Sequence, residues 1–345
     1  MDMTRTIRRT MAAMLAFLMA VCCCVPCVTV FAKSTGHGRT GDLSDIFDDK
    51  YNNMAHEYFG EMACTHLDKP TTDVSKFNDP EAYMAVMKDV DAWLEDAPKN
   101  GSDYDKEKFV YDKIATTCTF KMNGYGCDGT VGAVQAILYN HGGICDTFAK
   151  GFKYFCNMLD LKCWYVDGKW DGGNHAFNII ELDGKRYVVN MTGAVSVNDK
   201  PATAVDYSHM NMSKKQAERM GLTLSDWSKK YATDWSDCKY DDQDYFKKNN
   251  LYFTSYEAMK VALPAIIAKA NNEGKPIVSV EFPQNDIGDA MAKEADNKLF
   301  AGGEMNDVIK KANLLTPYPV QANVSYGANK NFFGFMISSS HVPKA

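Results

Sequence analysis

Hydrophobic residues follow a helical period through the first half of the chain. The clearest case begins at Cys145, behind which four apolar residues are spaced 4, 3 and 4 apart: Phe148, Phe152, Phe155 and Leu159. This spacing places the four side chains on one face and predicts a helix over 145–160. Less regular helical patterns cover 49–98 and 104–117, and a Pro-Lys-Asn-Gly break separates them. A short helix is also predicted over 130–139.

After residue 160 the pattern changes to the alternation that is typical of strands. Strands are predicted over 163–166, 175–182 and 186–191. The last two flank Asp183-Gly184, a dipeptide that favours a two-residue hairpin turn. The sequence therefore predicts an antiparallel sheet directly after the helix that begins at the cysteine.

The rest of the chain predicts loops followed by a small α/β unit. Residues 193–250 are polar and have no sustained period, which indicates short helices and long loops. A capping-box pattern from Thr254 to Glu257 then precedes a helix to about Asn271. The unit is completed by one or two helices and by three predicted strands, over 277–282, 320–326 and 332–338.

The first 32 residues differ from the rest of the chain. Three arginines precede an apolar run from Met11 to about Ala32, and small residues stand at its end. This order is typical of a secretory signal peptide, with a membrane anchor of similar length as the alternative. We therefore expect a secreted or cell-surface protein, separate from the membrane once residues 1–32 are cleaved.

Charge and cysteine count narrow the expected partners. Cleavage removes one Asp and three Arg, which changes the formal charge from −6 to −8. The remaining chain is acidic with mixed signs and has no basic stripe, so nucleic acid is excluded as an expected partner. Seven cysteines remain, and this odd count leaves at least one thiol outside disulfides, whether the others pair or all stay reduced. We expect no cofactor and no metal, since the stretch 167–174 lacks the spacing of a calcium-binding EF-hand loop.

One thiol has the surroundings of a nucleophile. Cys145 follows His141-Gly-Gly-Ile at the predicted start of a helix. A thiol attacks as its thiolate, and the partial positive charge of a helix N-terminus lowers the thiol pKa. The glycines allow a sharp turn and a close substrate, and the backbone N–H groups of the first turn are placed to hold an oxyanion.

The predicted hairpin supplies a base for this thiol. A two-residue turn places Leu182 opposite Lys185. The same register places His175 and Asn190 on one face of the sheet, as diagonal neighbours roughly 7–8 Å apart between backbones. The Asn190 carboxamide can then fix the tautomer and direction of the His175 imidazole, which completes a Cys-His-Asn triad with Cys145. A slip of one residue would move Asn190 to the other face.

Two stretches that contain these residues resemble the transglutaminase-like core of the papain-related superfamily: ILYNHGGICDTFAKGFKYFCNMLDLKCWYVDG and NHAFNIIELDGKRYVVNMTG. The family pattern has a Cys after a glycine turn, a His in an H-A-W-N-like strand and an Asp in a V-D-x-T-like strand. The matching positions are Cys145, His175 and Asn190. Asn190 replaces the usual Asp, and Phe177 replaces the usual Trp. The resemblance covers about residues 105–195.

The resemblance implies an α+β fold with a papain-like transglutaminase core, in which the helix that bears Cys145 packs on an antiparallel sheet. We accordingly divide the chain into a signal peptide (1–32), a flexible leader with a helical extension (33–103), the core (104–250) and a C-terminal α/β domain (251–345). The resemblance also implies a thiol-dependent acyl-transfer enzyme that acts on peptide or carboxamide bonds. Water as acceptor gives a peptidase or amidase, which we favour, and an amine gives a cross-linking transglutaminase.

Alternatives and weaker candidates remain. In the second hypothesis, the chain is a non-catalytic cell-surface protein that uses the same cleft to bind a peptide or a wall polymer. In a third hypothesis, residues 33–100 are a propeptide that covers the cleft. Residues 167–174 are predicted to be a flexible loop beside the cleft. The weaker site candidates are three aromatic residues for the wall of the acyl site, one oxyanion donor and a local disulfide: Trp164, Trp170 and Tyr139; Tyr125; Cys118 with Cys127.

Overall fold

The computed structural model describes residues 88–121, 133–134, 136–197, 200–339 and 341. These residues form helices and mainly antiparallel sheets, so the fold is α+β, as predicted. One unit holds the described residues up to Ala202 together with His209–Tyr240, and a second holds Thr203–Ser208 and the described residues from Asp241 onward. The predicted signal peptide and the predicted leader up to residue 87 lie outside the described residues.

In the first unit, the helices before residue 160 form where the apolar periodicity indicates them, and two short helices form in the polar segment after residue 193. Residues 88–93 are helical, and the elements that follow are α1 (Asp103–Thr117), a π-helical turn (Ala136–Asn140), α2 (Cys145–Met158), α3 (Lys214–Arg219) and α4 (Asp226–Tyr231). The predicted apolar face of α2 is buried. Phe152 meets Tyr111 of α1 edge-on with 6.4 Å between ring centroids, and Phe155 stacks on Trp93 at 4.0 Å. These contacts fix the helix, and with it the position of Cys145.

The helix α2 packs on a four-stranded antiparallel sheet. Two short strands, β1 (Thr119–Phe120) and β2 (Gly142–Gly143), pair with each other in parallel. The sheet itself consists of β3 (Lys162–Trp170), β4 (Gly173–Leu182), β5 (Lys185–Val189) and β6 (Leu222–Leu224), in the order β5-β4-β3-β6. The predicted register is confirmed, because Leu182 pairs with Lys185. Asp183 and Gly184 have φ values of 51° and 76°, as a two-residue hairpin turn requires.

The prediction of a flexible loop over 167–174 is wrong. The strand β3 continues to Trp170, and Asp171 and Gly172, with φ values of 47° and 90°, turn the chain directly into β4. Gly168 interrupts the strand pattern in the sequence, but a glycine at this position is required for β3 to pair with β6. A Cβ at this position would lie 1.8 Å from the carbonyl oxygen of Thr223, so only glycine lets the two strands pair this closely.

The strand predicted over 186–191 is too long. It ends at Val189, and Met191–Gly193 forms a 3₁₀ turn instead. The backbone N–H of Asn190 donates to the carbonyl oxygen of His209 at 3.0 Å rather than continuing the ladder with β4. The segment around His209 therefore replaces β4 as the hydrogen-bond partner of the Asn190 backbone.

The second unit has the predicted α/β character. It contains α5 (Tyr245–Lys248), α6 (Tyr256–Asn272), β7 (Ile277–Glu281), α7 (Asp286–Asp296), a π-helical turn (Asn297–Ala301), α8 (Met305–Ala312), β8 (Val320–Asn329) and β9 (Phe332–Ser339). The sheet order is β7-β9-β8. Helix α6 is capped by Ser255 rather than by the predicted Thr254, since the Ser255 side chain accepts from the N–H of Ala258. In the described part of the chain no helix is long and apolar enough to cross a membrane.

Candidate active site

Cys145 is the first residue of α2, as the glycine turn before it predicts. Its N-cap is Ile144, whose backbone N–H donates to the Thr147 hydroxyl at 3.2 Å. A Cβ at Gly143 would lie 2.4 Å from that hydroxyl oxygen, so the turn requires glycine there. Cys145 is half-buried and forms no disulfide. The sulfur thus lies at the positive end of a fourteen-residue helix, where a thiolate is favoured.

His175 and Asn190 are joined by a direct hydrogen bond, as the hairpin register predicts. The Nε2 of His175 lies 2.9 Å from the Oδ1 of Asn190. Since a carboxamide oxygen only accepts, the proton of the neutral imidazole lies on Nε2 and the lone pair on Nδ1. The residues are 5% and 0% exposed. Asn190 therefore fixes a tautomer in which Nδ1 is the basic atom.

The surroundings of His175 keep it neutral. Burial lowers the pKa of His175 from 6.5 to about 4; the hydrogen bond with Asn190 opposes this shift, and His209 adds to it. A charged imidazole loses its hydration in this place, and a carboxamide carries no charge to replace it. At pH 7 the imidazole is therefore neutral.

Trp170 and His209 lie beside His175, although the sequence pattern does not single them out as its neighbours. The Trp170 ring lies with its centroid 5.0 Å from that of His175 and 5.3 Å from that of His209. His209 itself packs on the backbone of Gly193, where a Cβ would lie 2.3 Å from its ring. No periodicity marks His209, because it lies in the polar segment and reaches the site through the backbone hydrogen bond from Asn190.

Of the three aromatic wall candidates, Trp170 contacts His175. Trp164 lies under the guanidinium of Arg186, 4.6 Å from its ring centroid. The hydroxyl of Tyr139 donates to Asp89 at 2.8 Å. The oxyanion candidate Tyr125 and the disulfide partner Cys127 lie outside the described residues, and Cys118 forms no disulfide.

Cys145 approaches β4 next to His175. The half-buried sulfur packs against a small buried cluster of Ala149, Tyr165 and Ala176, and Ala176 follows His175 in the strand. Successive side chains point to opposite faces of a sheet, so the helix side of β4 carries Ala176 and the other side carries the imidazole. Cys145 and His175 thus both lie near the first residues of β4, Cys145 on the helix side through Ala176 and the imidazole on the other side.

The other described thiols are poorly suited to attack. Burial raises the pKa of Cys118 to about 11 and that of Cys238 to about 12. Burial, followed by its contact with Cys163, raises the pKa of Cys156 well above the ordinary value. None of these thiols has the position of Cys145 at the first residue of a helix. Among the described residues no group of three or more His, Cys, Asp or Glu side chains is arranged to hold a metal ion.

Comparison with known proteins gives distant structural similarity only. No family model matches the chain, and no curated protein matches it. A crystal structure described as a candidate cysteine protease from Cytophaga hutchinsonii matches with 18% identity and a TM-score of 0.28, over 38% of this chain and 46% of that one. A crystal structure of a TGase matches with 20% identity and a TM-score of 0.30, over 51% of this chain and 45% of that one. The chain thus spans less than half the length of both structures.

Proposed function

We propose that the protein is an exported thiol-dependent acyl-transfer enzyme that acts on peptide or carboxamide bonds. Cys145 is the nucleophile, His175 the general base and acid, and Asn190 the residue that holds the base. One observation carries the proposal: the hydrogen bond between His175 and Asn190, in a buried place beside the strand position that the sulfur approaches. The contact between sulfur and imidazole is itself part of the proposal.

The first half of the reaction forms a thioester. The Nδ1 of His175 takes the thiol proton, and the Cys145 sulfur attacks the substrate carbonyl carbon. The bond between that carbon and the substrate nitrogen breaks, and His175 returns the proton to the departing amine. The first-turn N–H groups of α2 point towards the space where the negative oxygen develops.

The second half releases the acyl group. Water attacks the thioester carbon, His175 takes a proton from the water, and the carbon–sulfur bond breaks to regenerate the Cys145 thiol and a carboxylic acid. With a primary amine instead of water the product is an amide, which cross-links two chains when the amine is a lysine. We favour hydrolysis, because water is always present at high concentration. Peptides, including those of the cell wall, are the proposed substrates.

Intact-protein mass spectrometry after incubation with a mixed peptide pool tests this function. We expect an adduct on Cys145 and cleaved or deamidated peptides, and a free primary amine in the mixture distinguishes transfer from hydrolysis. The variant Cys145→Ala is the matched control and should form neither adduct nor product. Equal product with and without Cys145, or none from the intact protein, contradicts the proposal.

A non-catalytic binding role is the second candidate. Asn190 supports it, because a carboxamide stabilises an imidazolium less than a carboxylate does and the pKa of His175 is about 4. In this case the cleft holds a peptide or wall polymer without cleaving it. Iodoacetamide at neutral pH separates the two roles, since a binding protein needs no activated thiol and Cys145 should then react like an ordinary cysteine.

A further inference from the structure

A carboxylate adjoins the proposed nucleophile, and its charge acts against a thiolate. Asp146 is the second residue of α2, directly after Cys145. A negative charge this close disfavours ionisation of the thiol, and so opposes the effect of the helix N-terminus. Both carboxylate oxygens are, however, engaged. The Oδ1 accepts from the Tyr165 hydroxyl at 2.8 Å, and the Oδ2 accepts from the Lys150 ammonium at 2.7 Å.

Tyr165 reaches this carboxylate from the sheet. It lies on β3 opposite Asn178 of β4 and is 8% exposed. It belongs to the buried cluster on which Cys145 packs, so its ring lies between the start of α2 and the sheet. Burial, followed by the charge of Asp146 and then that of Cys145, raises the pKa of Tyr165 well above its usual value. The phenol therefore keeps its proton and remains a donor to Asp146.

Lys150 completes the arrangement from the helix itself. It stands four residues after Asp146, the spacing at which helical side chains meet, and its side chain is only 11% exposed. Its ammonium lies 5.7 Å from the centroid of the Tyr165 ring. The Asp146 carboxylate thus has a cation, Lys150, at one oxygen and a neutral donor, Tyr165, at the other.

We propose that Tyr165 is a positioning residue for Cys145. Together with Lys150, Tyr165 holds the Asp146 carboxylate in place and compensates its negative charge, so that Cys145 ionises at neutral pH. This inference rests on the proposed function, because it assigns Tyr165 a role through Cys145. It adds a residue that the triad does not contain. Tyr165 acts through the carboxylate, and no contact with the substrate is required.

The test is the rate of Cys145 alkylation by iodoacetamide as a function of pH, in four variants. Tyr165→Phe keeps the ring and removes only the hydroxyl, so the carboxylate loses a donor and the thiol pKa should rise by about half a unit, which makes alkylation slower by up to about threefold at pH values below that pKa. Asp146→Asn should have the opposite effect and make it faster. In the double variant, Tyr165→Phe should cause no further slowing beyond Asp146→Asn alone.

A matched control separates electrostatics from packing. Tyr111→Phe alters another buried tyrosine, on α1 against α2, and should leave the alkylation profile of Cys145 unchanged. Thermal unfolding of every variant confirms that the proteins are folded. The inference is overturned if Tyr165→Phe leaves the thiol pKa unchanged, or lowers reactivity equally with and without Asp146.

The same experiment distinguishes failure of the proposed function from failure of the proposed role of Tyr165. If the proposed function is wrong, the unsubstituted protein shows an ordinary cysteine profile and forms no acyl adduct from peptides. If only the role of Tyr165 is wrong, Cys145 remains fast and acylable, and the Tyr165→Phe profile coincides with that of the unsubstituted protein.

Discussion

The Nε2 of His175 and the Oδ1 of Asn190 are 2.9 Å apart, although 14 residues separate them in the chain. The hairpin turn at Asp183-Gly184 fixes the register that brings the two strands together. A carboxamide at this position sets the tautomer of His175 without charging the ring. The imidazole is therefore held neutral, with its lone pair on Nδ1.

Replacing this carboxamide with a carboxylate should make the base stronger. The Nδ2 of Asn190 is buried and has no hydrogen-bond partner among the described residues, so Asn190→Asp removes an unsatisfied donor at nearly constant shape. An opposite charge at this distance should raise the pKa of His175 by about 1 to 3 units. An NMR titration of the His175 ring measures this shift, with His175→Gln for assignment. A pKa that stays near 4 would show that Asn190 does not govern the base.

The stability of the protein should depend on the protonation of His175. Its pKa is about 4 in the folded protein and 6.5 when unfolded, so between these values the unfolded chain binds a proton that the folded chain does not. Stability should therefore fall as the pH decreases from about 6.5 to about 4, by about 3 kcal/mol in total. Chemical denaturation at several pH values measures this loss. His175→Gln should remove this contribution, and an unchanged pH dependence in that variant contradicts the assignment.

The glycine turn before Cys145 should tolerate no side chain without a loss of stability. In Gly143→Ala the new Cβ meets Thr147, so the start of α2 must shift, at a cost of about 1 to 3 kcal/mol. Cys145 should become less reactive towards iodoacetamide as well. Gly172→Ala is the control, because its Cβ meets nothing within 4 Å and only its φ of 90° is unfavourable, at about 1 to 2 kcal/mol. Equal effects of the two variants on Cys145 reactivity would argue against a special turn.

The thiols should differ in reactivity in the folded protein. Burial raises the pKa of Cys118 and Cys238 to about 11 and about 12, so almost none of either is thiolate at neutral pH. Limited alkylation with iodoacetamide, followed by peptide mapping, should find Cys145 modified first among the described cysteines. After unfolding in denaturant all of them should react alike. Early modification of Cys118 would contradict this order.

Local patterns predict the elements that carry the proposed triad. The apolar spacing behind Cys145 gives the helix, and the Asp183-Gly184 turn gives the register that joins His175 to Asn190. Each of these signals lies within a single helix or a single hairpin, so local chain geometry is enough to predict it.

The missed features depend on contacts between distant segments. Gly168 breaks the strand pattern in the sequence, but it allows the close pairing with Leu224, 56 positions later. His209 reaches the base through a backbone hydrogen bond, which no side-chain pattern records. The pairing of Tyr165 with Asp146 requires the packing of the helix on the sheet. Periodicity describes one element at a time and cannot predict such contacts.

The central claim is that His175 activates the Cys145 sulfur, and the alkylation rate of Cys145 in His175→Gln tests it most directly. Glutamine keeps a donor towards Asn190 but offers no basic nitrogen to the thiol. We predict that alkylation by iodoacetamide at pH 7 becomes at least about tenfold slower in this folded variant, since the thiol loses its base. Rates that coincide in the two proteins across the pH range would contradict the account.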